Sequence, residues 1–68
     1  MNKGELAAAV QTGDNPWVRL RDGLRISLVE VYDLKAGIFI GKFIPCAKNA
    51  RTYKVMFNEV AEFIGKKD

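Results

Sequence analysis

A chain of 68 residues with one cysteine, Cys46, and no histidine has room for one hydrophobic core. It lacks the intrachain disulfides and the zinc ligands with which domains this small usually offset their poor ratio of buried to exposed surface, which leaves oligomerisation as the expected route to stability. Hydrophobic residues at 49% and charged residues at 28% are usual for a globular domain, and no apolar run reaches the roughly 18 residues of a membrane span. The polar start Met1–Glu5 has no leader pattern, and an unpaired thiol with no glycosylation sequon fits a reducing cytoplasm.

Taken in chain order, the first element is a short helix over 3–12. Asn2 is placed to cap it, Glu5 three residues later completes a capping box, and Leu6, Ala9 and Val10 make one apolar face before Thr12-Gly13. A helix of three turns or fewer does not stand alone in water, so this face must lie on something else. The cluster Gly13-Asp14-Asn15-Pro16 is a turn, with Trp17 after it placed to anchor the helix to the body that follows. From Trp17 the period becomes strand-like: Val18 and Leu20 alternate with Arg19 and Arg21, and Asp22-Gly23 signals a hairpin. The next strand sets Leu24, Ile26 and Leu28 on one face, then slips at Leu28-Val29 so that Val29 and Val31 continue on the other, as at a bulge or sharp bend.

A second turn at Asp33–Gly37 leads to Ile38–Ile44, apolar on both faces, with Gly41 as a bend and Pro45 as the stop. Cys46–Arg51 is a basic loop. Thr52–Phe57 is a fourth strand with Tyr53, Val55 and Phe57 on one side, and Asn58-Glu59 is a corner. The segment Val60–Ile64 fits a strand or one helical turn, and 65–68 is a polar tail. These elements predict a single, mainly β domain: a short N-terminal α-helix, then a five-stranded, strongly bent small barrel over 17–64 with Val18, Leu20, Ile26, Leu28 and Val55 in its core. A strand apolar on both faces needs a cover that the helix supplies only in part, so self-association through strand edges is expected, with Phe39, Phe43, Met56 and Phe57 at the interface.

Chemistry by a single chain is poorly served. With one serine, one cysteine and no histidine, neither a Ser-His-Asp nor a Cys-His arrangement can be built. Asp22, Glu30 and Asp33 read as turn and surface carboxylates, and Cys46 as a small residue ending a strand. Gly37-x-x-x-Gly41-Lys42-Phe43 is one residue short of a phosphate loop and places Phe43 where a hydroxyl belongs. No enzyme, metal or cofactor is therefore expected. The net charge of +3 is concentrated in the second half, where residues 35–68 carry seven bases and three acids, and the stretch from Lys35 to Lys54 holds five bases and no acid. Bases interleaved with aromatics suit single-stranded nucleic acid, cations tracking phosphates while rings stack on bases. The candidates are Tyr32, Lys35, Lys48, Asn49, Arg51, Lys54 and Asn58, the asparagines as donors and acceptors to base edges. The competing reading is a protein-interaction or structural oligomerisation module that ignores nucleic acid.

Val18-Arg19-Leu20-Arg21-Asp22-Gly23, a long strand leading to Asp33, and Tyr53–Ile64 as a strand, polar corner and short strand together resemble the two motifs of the Sm/LSm family. The likeness spans roughly residues 4–64 and is one of spacing; other SH3-like barrels share it. The resemblance implies an N-terminal helix on a bent five-stranded barrel and a homo-oligomeric ring that binds single-stranded RNA or DNA. The family's base-binding residues are absent: Leu34-Lys35-Ala36-Gly37 follows the Asp in place of an aromatic or Met before Asn, and Phe57-Asn58 stands near the place of Arg-Gly or Lys-His.

Overall fold

The computed structural model describes residues 2–65. Asn2 Oδ1 accepts the Glu5 N–H at 2.9 Å while the Glu5 carboxylate accepts the Asn2 N–H at 3.4 Å, so the capping box forms and starts α1 (Lys3–Gln11). Thr12 is the C-cap, which ends the helix one residue before the expected boundary. Leu6, Ala7 and Val10 are its buried side chains. Ala7, rather than Ala9, completes the face, because positions 6 and 10 (i, i+4) and 7 and 10 (i, i+3) share one side of the helix.

Five strands follow: β1 (Trp17–Leu20), β2 (Arg25–Asp33), β3 (Ile38–Lys42), β4 (Tyr53–Met56) and, after the 3-10 turn Phe57–Glu59, β5 (Val60–Gly65). The last segment is thus a strand, and Phe57 leaves β4 to open the turn. β3 stops at Lys42 rather than Ile44, with Phe43 and Ile44 in a bend ahead of Pro45, which cannot donate to a ladder. Of the expected polar tail, Gly65 belongs to β5 and 66–68 lie outside the described residues. No helix among the described residues is long and apolar enough to cross a membrane.

All pairings are antiparallel, in the order β4-β3-β2-β1-β5. The two outer strands are therefore consecutive in sequence, separated by three residues. In a flat sheet they would lie roughly 19 Å apart, whereas one 3-10 turn advances only about 6 Å. The sheet has to curl until its two margins meet at that corner. The hydrogen bonds agree: the Phe57 N–H donates to Gly37 O at 2.7 Å and the Arg21 N–H donates to Glu59 O at 2.9 Å. The turns at both ends of the nine-residue β2 are thus tied to one short corner, although a straight β2 would span roughly 26 Å. β2 arches, and its ladder with β3 shifts register between Leu28 and Glu30 and again between Val31 and Asp33. The first shift is the slip expected at Val29.

Inside the arch, Val18, Ile26, Leu28, Phe39 and Val55 join Leu6, Ala7 and Val10 in one core, with Leu20, Val31, Phe57 and Val60 packed against it. The helix lies chiefly on β2. Ser27 is the buried polar residue of this core. Its hydroxyl donates to Asn15 O at 2.9 Å, and the next amide, Leu28 N–H, donates to Pro16 O at 2.9 Å. Those two bonds pin the helix-to-β1 connection, where Asn15 adopts φ +46°, to the middle of β2.

Gly41 is fully inside, opposite Leu28. A Cβ there would lie 2.8 Å from both Cγ1 and Cδ1 of Ile26 and 3.2 Å from Ser27 O. Close approach of the arched strands, rather than a bend of β3, is what requires glycine. Gly41→Ala is expected to lower unfolding free energy by about 1–3 kcal/mol through overpacking. Gly4→Ala, whose Cβ would meet nothing closer than 3.5 Å within a helix, should be neutral or slightly stabilising. Urea denaturation of both variants checks the contrast.

Candidate nucleic-acid interface

The outer face of the arch carries the first group of candidates. Glu30, Ile40 and Lys54 are direct partners across β2, β3 and β4, so their side chains share one face. Tyr32 falls at the second register shift of β2, is 58% exposed, and lies under Lys54, whose Nζ is 4.6 Å from the ring centroid. That is cation–π range. Strand alternation turns Tyr32 outward with Glu30, while Val31 and Phe39, paired beside it, serve the core. One ring with an ammonium on one face is the beginning of a stacking site whose cation is already in place.

The chain then turns at 34–37. Asp33 Oδ1 accepts the Ala36 N–H at 3.1 Å, and Lys3 Nζ donates to Lys35 O at 3.1 Å, holding the turn against the start of the helix. Lys35 itself is exposed. Through the Phe57–Gly37 bond this turn sits beside the 3-10 corner, so Lys35 and Asn58 belong to the same end of the barrel. Asn58 O is occupied, accepting from Arg21 Nε at 2.7 Å, and the residue is exposed.

Lys48, Asn49 and Arg51 occupy the loop between β3 and β4, at the opposite end. Two turns shape it, Ala47 N–H to Ile44 O at 3.1 Å and Ala50 N–H to Ala47 O at 3.2 Å. All three side chains are exposed, and none makes a hydrogen bond or ion pair among the described residues. The length of β3, about 13 Å for five residues, separates them from the Lys35 turn. The candidates read as one set therefore form three: Tyr32 with Lys54 on the outer face, Lys35 with Asn58 at one end, and Lys48, Asn49 and Arg51 at the other.

Two residues that sequence reasoning placed elsewhere join the third set. Phe43 and Tyr53 flank the loop with ring centroids 5.2 Å apart at 69°, and are 40% and 42% exposed. With Ile44, Ala50 and Arg51 they line a cleft of ≈ 150 Å³. The sequence signal for them was Pro45: by ending the ladder early it takes Phe43 out of the sheet.

Of the side chains expected at a subunit interface, Phe39 has to be withdrawn. It is fully buried in its own subunit, packed among the other core residues between β2 and β4. Phe57 is half-buried against the core, while Met56 and Phe43 are exposed. Among the described residues β4 and β5 each pair on one side only. Residues 51–56 carry Arg51 and Lys54 and no acid; residues 59–64 carry Glu59 and Glu62 and no base. Exposed apolar side chains stand along both, Tyr53 and Met56 on one and Phe63 and Ile64 on the other.

Acidic side chains elsewhere do local work. Asp22 caps the Leu24 N–H at 3.0 Å, Glu59 the Met56 N–H at 3.1 Å, and Glu62 pairs with Arg19 at 3.2 Å, where Arg19 also faces Arg25 across β1 and β2. No group of three or more His, Cys, Asp or Glu side chains converges among the described residues. Cys46 is an exposed free thiol. Comparison of the chain with protein-family models, with curated proteins and with solved structures found no match in any of the three, so what these surfaces do has to be argued from their chemistry.

Proposed function

We propose that the chain is a non-catalytic protein that binds single-stranded RNA or DNA as a homo-oligomeric, Sm-like ring. The observation that carries this reading is the pair of open sheet margins on one subunit, unlike in sequence and opposite in charge. An unpaired strand offers a row of N–H and C=O groups to another chain. Pairing β4 with β4, or β5 with β5, sets like charges together, whereas β4 of one copy against β5 of the next sets the strand of Lys54 against the strand of Glu62. Such a contact is head-to-tail, and it closes into a ring when the rotation per subunit divides the circle. The same pairing covers Met56, Phe63 and Ile64.

Repetition around a ring turns a modest charge per subunit into a cationic surface. Lys48 and Arg51 have no partner among the described residues, no acid lies between Asp33 and Glu59 in the sequence, and Tyr32 presents an open ring beside a cation. These are the elements with which sequence-tolerant single-strand binders hold phosphates and stack bases. A second reading, a protein-interaction module on the same barrel, is favoured by the exposed Ile44 and Leu34, which edge pairing does not use.

Assembly is checked by sedimentation equilibrium. The wild type should show no folded 7.6 kDa species at micromolar concentration, and Met56→Asp, which puts a charge on an exposed β4 position, should shift the population toward monomer. A folded wild-type monomer would remove the ring.

Binding is checked by titrating a labelled U20 oligonucleotide at several salt concentrations. Each phosphate contact contributes a slope of about −0.7 in log K against log salt for single strands. Replacing both Lys48 and Arg51 by Ala should flatten the slope by about 1.4 for each subunit engaged. Tyr32→Ala should weaken binding with little change of slope, because stacking releases few ions. Absence of any complex at low salt would leave the interaction module as the better reading.

A further inference from the structure

We propose that the cleft formed by Phe43, Ile44, Ala50, Arg51 and Tyr53 is a nucleobase pocket, a stacking site additional to Tyr32; the proposal rests on the nucleic-acid reading above and deepens it. The two rings meet edge to face at 69° and make a corner of two aromatic walls at an open end of the barrel. A planar heterocycle lying flat on one ring of such a corner meets the other as a wall, which fixes its position. The cleft's other liners, Ile44 and Ala50, are apolar, and its one charged liner is Arg51, whose guanidinium has no partner among the described residues. A flat π-surface joined to a phosphate is the ligand that uses both halves of that lining: the base on the rings, the anion on the guanidinium, with Lys48 on the same loop for the next phosphate.

A second copy of the chain is the other candidate occupant, and the place of the cleft disfavours it. Phe43, Ile44 and Ala50 lie before β4 begins at Tyr53, off the edge that pairing would cover.

The test compares two labelled probes of equal length, U20 and an abasic oligonucleotide that keeps the phosphates and lacks the bases. Tyr53→Leu and Phe43→Leu should each weaken U20 binding about 5- to 150-fold, the range of one lost stacking contact, and leave binding of the abasic probe and the salt slope unchanged. Arg51→Ala should weaken both probes. Independently, ultraviolet crosslinking of the wild type to a 5-iodouracil oligonucleotide should attach to the peptide containing Phe43 or Tyr53, which needs no variant to fold. Crosslinks confined to Tyr32, or unchanged U20 affinity in both leucine variants, would overturn the pocket while leaving the wild-type binding, and hence the proposed function, intact. Leucine variants that change sedimentation and not U20 affinity would reassign the cleft to a subunit contact. A wild type that binds neither probe would overturn both.

Discussion

Three residues, Phe57–Glu59, join the two outermost strands of a five-stranded sheet, and this short tether governs the molecule. Strand order alone would permit a flat sheet; the tether does not. It draws the turns at 21–24 and 34–37 to one corner, forces β2 to arch, and brings β3 so near the first half of β2 that only glycine fits at position 41. Gly37 belongs to the same constraint. Its φ of +74° and the 3.2–3.3 Å that a Cβ would have to Lys3 Cδ and Phe57 Cβ show how closely the turn is pressed between the helix start and the corner. The helix, the turn and the corner are one packed unit, held by Lys3 on Lys35 O and by Phe57 on Gly37 O.

Much of this was legible in the residues because it follows from local rules. The capping box at Asn2 and Glu5, the hairpin at Asp22-Gly23, the slip at Val29 and the alternation through Val18, Ile26 and Leu28 each depend on a few neighbouring positions. Legibility ended where distant segments decide. Gly41 looked like a bend because a lone glycine in a strand carries no mark of what lies across from it; the reason is Ile26, fifteen positions earlier. Phe39 read as an interface residue because a strand apolar on both faces does not declare which face the subunit covers for itself. Tyr53 and Val55 share a strand face, yet the first lies past the end of the core and the second within it. The candidate binding residues are exposed, but periodicity gives no distance between loops, and the length of β3 sets Lys35 and Lys48 apart.

The distribution of charge has the same two-level logic. Glu5, Asp22, Asp33 and Glu59 each accept a backbone N–H within three residues of themselves, so the acids mark helix starts and turns and are placed by chain geometry. Among the described residues the bases of the second half have no such duties: Lys48 and Arg51 make no hydrogen bond or ion pair, and Lys54 covers an aromatic face. The bases with structural work, Lys3, Arg19 and Arg21, lie in the first half, and those described in the second are left for what lies outside.

The place of β5 also orders events in time. β1, the first strand made, has β2 on one side and β5 on the other, with Trp17 opposite both Ser27 and Gly65. Until Val60–Gly65 leave the ribosome, β1 is a bare margin, and Leu6 and Val18 lack the wall that Val60 and Phe63 complete beside them. A nascent chain can form α1 and the β1–β2 hairpin but cannot shut the barrel, because the pairings that do so reach across nearly its whole length. Such non-local closure is slow and leaves apolar edges open meanwhile. The barrel therefore closes last, when Val60–Gly65 take their place beside β1.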